Sequence, residues 1–324
     1  MATGILHSYT PKLTAFEHGP DTKATNTLLW IGGLGDGLLT VEYPAKIAAA
    51  LPPTWRVVEV MLSSSYKGWG TGGLERDAHE LRTCILYFVG LSAECEYEKE
   101  GEVKTKGKIV LMGHSTGCQD IMEFLVGKNS ESRRRTIDGA ILQGGVSDRE
   151  AWVSMLSSDP KALESFNELV ERAKGLVDQG KGKEVMSREN NIVATEFNTA
   201  ITAYRTHSLL AKGGDDDYFS SDLSDETLEK SFGRIPEEVP VCFVIGAEDP
   251  YLVPAACSAE ELMKRWTDAV KAGGGVVDEA NGGFIKGAHH NLNDDPEEVV
   301  ADLVGRVKKF VENVESGFPG VSRL

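Results

Sequence analysis

The chain has 324 residues, enough for two domains or for one large α/β domain carrying an insertion. Hydrophobic residues make up 41% and charged residues 26%, ordinary globular values that exclude a disordered, fibrous or collagen-like chain. Asp and Glu number 50 against 34 Lys and Arg, a net charge of -16; such a field repels phosphate backbones and anionic bilayers, so neither nucleic acid nor a membrane is expected as a partner.

The first residues, MATGILHSYTPK, lack the apolar core of a secretory signal, and no apolar run is long enough to span a bilayer, which predicts a cytoplasmic protein. Its five cysteines, Cys84, Cys95, Cys118, Cys242 and Cys257, are scattered without a C-x-x-C pair and are expected to be free thiols.

In chain order, near-continuous apolar runs predict strands over 27–31 (TLLWI), 56–62 (RVVEVML), 108–112 (KIVLM) and 139–143 (GAILQ), the pattern of a parallel sheet buried on both faces. Helices are expected between them, over about 73–91, where Leu74, Leu81, Ile85 and Phe88 share a stripe, and over 116–126. From 147 to 238 no strand is predicted. Helical spacing prevails there, as in Leu163, Phe166, Val170, Ala173 and Val177 after an Asp159-Pro160 start. The segment is acidic, and it reads as a helical cap (147–238) inserted into a core made of 1–146 and 239–324. The sheet pattern resumes at 240–246 (PVCFVIG), followed by a helix over 259–272, a short strand over 283–286 and a last helix over 296–315.

Gly113-His114-Ser115-Thr116-Gly117 is a G-x-S-x-G pentapeptide between a predicted strand and a predicted helix. The pentapeptide alone is a weak signal. In this setting a tight turn lifts the serine hydroxyl above the sheet while the helix N-terminus directs amide donors at developing negative charge. A serine needs a histidine base oriented by a carboxylate, and both follow: Gly246-Ala247-Glu248-Asp249 after one strand, Gly287-Ala288-His289-His290 after the last. The order Ser115, Asp249, His290 is that of α/β-hydrolases. Glu248 and Asp148 compete for the acid, and His289 for the base. Oxyanion donors are expected from the Thr116 amide and from Gly33 and Leu34 in the loop Gly32-Gly33-Leu34-Gly35-Asp36-Gly37. That loop fits no dinucleotide fingerprint, and no P-loop occurs. Adjacent histidines do not make a metal site. Neither a metal nor a cofactor is expected.

The serine elbow, the glycine loop, Ser63-Ser64-Ser65-Tyr66-Lys67-Gly68-Trp69-Gly70, Val146-Ser147-Asp148-Arg149-Glu150 and the stretch 215–223 (DDDYFSSDL) together resemble a fungal α/β-hydrolase family. That family, formerly a domain of unknown function, includes intracellular siderophore esterases acting on fusarinine-type ferric siderophores. The resemblance covers essentially the whole chain. It implies a mostly parallel sheet with the cap between the sixth and seventh strands, Ser115, Asp249 and His290 at the triad positions, and a small-molecule ester as substrate, a ferric hydroxamate siderophore such as fusarinine C or its triacetylated form. Asp215, Asp216 and Asp217, with Tyr218 and Trp69, are expected to border the site as an acidic rim for a cationic substrate. A generic carboxylesterase or lipase-like hydrolase, and a non-catalytic binding protein of this fold, are the competing expectations.

Overall fold

The computed structural model describes residues 2–19, 24–94, 107–134, 136–318 and 321. Eight strands form one sheet: β1 (Gly4–Ser8), β2 (Thr14–His18), β3 (Asn26–Ile31), β4 (Trp55–Val60), β5 (Ile109–His114), β6 (Gly139–Gln143), β7 (Val241–Gly246) and β8 (Gly283–Ile285). Their order is β1-β2-β4-β3-β5-β6-β7-β8. The β1–β2 and β2–β4 pairs are antiparallel and every other pair is parallel. The apolar runs marked in the sequence are the parallel strands. β1 and β2 were not marked, because β1 is an edge strand that alternates exposed and half-buried residues and so carries no continuous apolar signal.

Helices cover both faces. α1 (Tyr43–Ala50) and α11 (Glu297–Ser316) lie on one, α2 (Leu74–Glu94), α3 (Gly117–Val126) and α10 (Ala259–Ala272) on the other. Alternation along the strands decides which core each side chain joins: Leu28 and Trp30 pack with Tyr43, Ile47, Leu303 and Phe310, whereas Leu29 and Ile31 pack with Leu81, Ile85, Ile121 and Trp266. Each such apolar side chain contributes about 1.5–3 kcal/mol when fully buried. Cys84, Cys118 and Cys242 are free and buried, Cys257 is free and half-buried, and Cys95 lies outside the described residues.

Between the short α4 (Glu131–Arg134) with β6 and the return at β7, the chain runs through α5 (Asp148–Leu156), α6 (Pro160–Asp178), α7 (Ile192–Glu196), α8 (Ala203–Leu210) and α9 (Asp225–Lys230). Local chemistry fixes the starts. Ser147 caps α5 by accepting the Glu150 amide at 3.1 Å, and Asp159 caps α6 with Pro160 in the first turn, as its sequence predicts. These helices build a third apolar cluster of their own around Trp152, Phe166, Leu169, Ala173 and Leu209, which Trp69 joins from the core side. Among the described residues no helix is long and apolar enough to cross a membrane.

Candidate active site

The turn between β5 and α3 is held in an uncommon conformation. Ser115 has φ of 53°, the left-handed region that costs a non-glycine residue about 1–3 kcal/mol and persists only where its surroundings fix it. Its amide donates to the Gln143 carbonyl of β6 at 3.0 Å, and its carbonyl accepts the Cys118 amide at 2.8 Å. The flanking glycines are required by crowding: a Cβ on Gly113 would lie 2.5 Å from the Gly117 carbonyl, and one on Gly117 would lie 2.3 Å from the Ile31 carbonyl. The two glycines let α3 start directly above the sheet with Ser115 at its crest.

The loop after β3 approaches the same serine. A Cβ on Gly33 would stand 2.6 Å from Ser115 Cβ and 3.2 Å from its Oγ. The Gly33 amide, however, donates to Asp36 Oδ2 at 2.9 Å. The Gly33 N–H, expected as an oxyanion donor, is thus engaged within its own loop. Gly33→Ala is therefore expected to push the loop and nucleophile apart and lower turnover about 100-fold, the cost of misplacing a reacting group by about 1 Å. Steady-state kinetics on any ester substrate, with the melting temperature as control, checks it.

His290, in the loop after β8, faces Asp249 in the loop after β7. Their Nδ1 and Oδ2 atoms are 2.6 Å apart, with the Asp249 side chain fully buried and that of His290 14% exposed. The second Asp249 oxygen accepts the Tyr251 amide at 2.9 Å, and the Tyr251 ring meets the imidazole edge-on. The competing residues are engaged differently. His289 is exposed and binds Asp295, Nδ1 to Oδ1 at 2.6 Å, and that carboxylate holds its pKa above the ordinary value. Glu248 is exposed. Asp148 accepts the Gln119 Nε2 donor at 2.9 Å. A buried carboxylate fixing one imidazole nitrogen leaves the other as the base, the arrangement that activates a serine.

Beneath these residues lies a buried polar network that sequence reasoning missed. Trp30 Nε1 donates to the Tyr43 hydroxyl, the hydroxyl donates to Gln143 Oε1, and Gln143 Oε1 also meets His114 Nδ1 at 2.6 Å. Gln143 Nε2 then donates to the His290 carbonyl at 3.0 Å, so the network supports the histidine loop from below. Burial first, and then the proximity of His290, drive the His114 pKa from 6.5 down to about 4. A neutral histidine buried with a lowered pKa costs stability as pH falls from about 6.5 toward 4, because there the unfolded chain binds more protons. An NMR titration is expected to find the His114 ring neutral until pH approaches 4.

Ser115 and His290 line one cleft of about 640 Å³, within the range of small-molecule sites. The segment between β6 and β7 supplies Asp148, Trp152, Met155, Leu156, Ile192, Glu196 and Phe197. Met155, Phe197 and Tyr251 are among the large hydrophobic side chains left exposed among the described residues, and their position together at the cleft marks a candidate binding surface. No group of three or more His, Cys, Asp or Glu able to hold a metal occurs among the described residues.

Asp215, Asp216, Asp217, Tyr218 and Trp69, expected to border the site as an acidic rim, are not among the residues that line this cleft. Asp216 is buried and ion-paired with Arg205. Asp217 is folded inward, accepting from the Gly213 amide at 2.8 Å and from Ser220 Oγ. Asp215, exposed, accepts from the Tyr204 hydroxyl, and the Tyr218 hydroxyl donates to Glu123. The run of three aspartates serves nearby donors and cations, a use no local pattern displays. Trp69 is 2% exposed and packs edge-on to Phe197, one layer behind the cleft wall.

The chain is 36% identical to "Fusarinine C esterase sidJ" of Aspergillus fumigatus, over 95% of each chain. Among solved structures it resembles the siderophore hydrolase EstB of Aspergillus fumigatus, with a TM-score of 0.81 and 35% identity over 97% of this chain and 98% of that one. A protein described as an α/β-hydrolase fold protein of unknown function superimposes with a TM-score of 0.61 at 17% identity over 98% of this chain and 97% of that one, a likeness of fold alone. The fold is that of the α/β-hydrolases. The model of the family described as "Protein of unknown function (DUF1749)" matches residues 1–312, and the chain belongs to that family.

Proposed function

We propose that this chain is a serine esterase that cleaves the ester bonds of a ferric hydroxamate siderophore of the fusarinine type inside the cell, with the helices of 147–238 acting as its cap. The observation that carries the reading is the buried Asp249–His290 pair at 2.6 Å, sharing one cleft with a serine held at positive φ. The substrate class is supported by the relatives' printed activities.

Ser115 Oγ attacks the ester carbonyl as its proton passes to the outer nitrogen of His290. Asp249, on Nδ1, fixes the tautomer and stabilises the imidazolium. The oxyanion is received by the amides of Thr116 and Leu34. The intermediate collapses to an acyl-Ser115, and the alcohol leaves with the proton from His290. Water, deprotonated by His290, then releases the acid and restores Ser115. No step calls for a cofactor. Cutting the esters divides one multidentate ligand into separate hydroxamates, which lose the high effective concentration that tethering gave them around the iron, so iron is released.

The apolar wall of Trp152, Met155, Leu156, Ile192 and Phe197 favours a second reading, a generic carboxylesterase that holds an acyl chain there. Incubation of the purified protein with ferric fusarinine C, its triacetylated form and p-nitrophenyl esters of graded chain length, followed by mass spectrometry, separates the two. Linear fusarinine units appearing from the siderophores support the first reading. Turnover of long-chain p-nitrophenyl esters alone supports the second, and no turnover of any ester overturns both in favour of a non-catalytic binder.

A further inference from the structure

We infer that Asp148 recognises a cationic group on the substrate, so that the enzyme selects esters bearing a primary ammonium over neutral esters of the same length. The inference rests on the esterase reading and adds a substrate charge to it. Its starting point is the composition of the cleft. The side chains that line it include Asp36, Asp148 and Glu196 but neither lysine nor arginine.

The three carboxylates are not equivalent. Asp36 is occupied by its own loop, accepting from the Gly33 amide and from Thr40 Oγ1. Glu196 is exposed, where water screens its charge. Asp148 opens α5, with Oδ2 accepting from Gln119 Nε2 of α3 at 2.9 Å, and among the described residues no lysine or arginine pairs with it. The cations that could neutralise it are committed elsewhere: Arg149 to Asp217 and Asp222, and Arg205 to Asp216. Asp148 is half-buried, and a carboxylate partly withdrawn from water without a counter-ion is less stable in the ionised form. In this protein burial, and then the charge of Asp216, push its pKa up to about 7, with Arg205 and His290 pulling the other way.

An ammonium in the cleft supplies the missing counter-ion, and a carboxylate accepting from it gains a charge-assisted hydrogen bond that a methyl group of the same size does not make. An anionic acyl group would be repelled. Trp152, Phe197 and Tyr251 share the same lining, and the face of an aromatic ring attracts a cation and repels an anion. Among hydroxamate siderophores this favours the form with free amino groups over the acetylated one, and it places the acidic recognition expected of Asp215, Asp216 and Asp217 on a single half-buried residue of the cleft wall.

The groups whose charge bears on Asp148 are Asp216, Arg205 and His290, and Asp36, Glu196, His114 and His289 share the cleft. His290 must be neutral for turnover of any ester, so its titration cancels in a ratio of two substrates measured on one enzyme. The test compares kcat/KM for p-nitrophenyl 6-aminohexanoate with that for p-nitrophenyl heptanoate, in wild type and in Asp148→Asn, from pH 6 to pH 8.5. Wild type is expected to prefer the ammonium ester about 10- to 100-fold at pH 8.5, the range of one hydrogen bond to a charged group, and the preference should shrink toward pH 6 as Asp148 takes up its proton. In Asp148→Asn the ratio should fall toward one and lose its pH dependence. Equal rates for the two esters in wild type, or an Asp148→Asn variant that slows both alike and keeps the ratio, overturn the inference and leave the esterase reading standing. Turnover of neither ester overturns that reading and the inference with it. Thermal unfolding gives an independent readout of the half-buried carboxylate. Because its folded pKa lies above the unfolded one, wild type loses stability as pH rises from about 4 to about 7, and the advantage of Asp148→Asn should grow across that window. A constant difference counts against the inference.

Discussion

Ser115→Ala is expected to lose ester hydrolysis by about 10⁴- to 10⁶-fold while its unfolding transition moves little. The loss is large because the hydroxyl is the bond-forming group, and what remains is the contribution of the oxyanion amides and of binding, about 10³–10⁴ over water in serine hydrolases. Folding survives because the substitution removes one half-buried oxygen. Alanine tolerates the positive φ no worse than serine, since both carry a Cβ. Asp249→Asn should lower turnover by about 10⁴, because an asparagine holds His290 in the wrong tautomer. The two losses should not add, since Ser115 and His290 act as one unit. Labelling by a serine-directed phosphonate gives a second measurement: wild type should be modified at Ser115 and the alanine variant not at all. Turnover near the wild-type rate in Ser115→Ala would remove the serine mechanism.

The parts of this site that were legible in the sequence are those set by strand ends. Ser115, Asp249 and His290 each follow a parallel strand, and strands buried on both faces announce themselves as apolar runs such as 109–112 and 241–245. What connects residues across the chain was not legible. The donation from the Gly33 amide to Asp36 depends on how one loop folds on itself, and the burial of Asp216 depends on Arg205, eleven residues away on α8. An acidic run at 215–217 looks like a solvated surface until its partners are known. Asp148 is the reverse case. It was weighed as a triad acid because it follows β6, yet it lies on Gln119 while Asp249 meets His290. The antiparallel strands β1 and β2 and the short α1 carry no clear period because their burial is partial or their length small.

Arg205→Met is expected to destabilise the protein by about 3–5 kcal/mol at pH 8, the usual result of removing one partner from a buried ion cluster. Arg205 is 3% exposed on α8. Its Nε donates to the Trp69 carbonyl at 3.1 Å and its guanidinium pairs with Asp216, whose other oxygen accepts from Ser208. Its charge also reaches Asp77 on α2 and Asp120 on α3, whose carboxyls burial holds above the ordinary range and Arg205 draws back down. One side chain thus neutralises acids from α2, α3 and the loop after α8, and its loss should loosen the packing beside the glycine loop. Methionine matches the packing of the arginine stem, so the effect reads charge more than volume. The pH dependence separates this account from simple cavity formation. Without the arginine, the folded-state pKa values of Asp77 and Asp120 rise further above the unfolded ones. The deficit should therefore be small at about pH 4–5, where they can be protonated at little cost, and grow as pH rises. A double variant, Arg205→Met with Asp216→Asn, should recover a large part of the loss, since the pair in direct contact is then neutral on both sides. Urea unfolding of the four proteins of that cycle at pH 5 and pH 8 measures each term; a deficit independent of pH, or strict additivity, would show that Arg205 acts through packing alone.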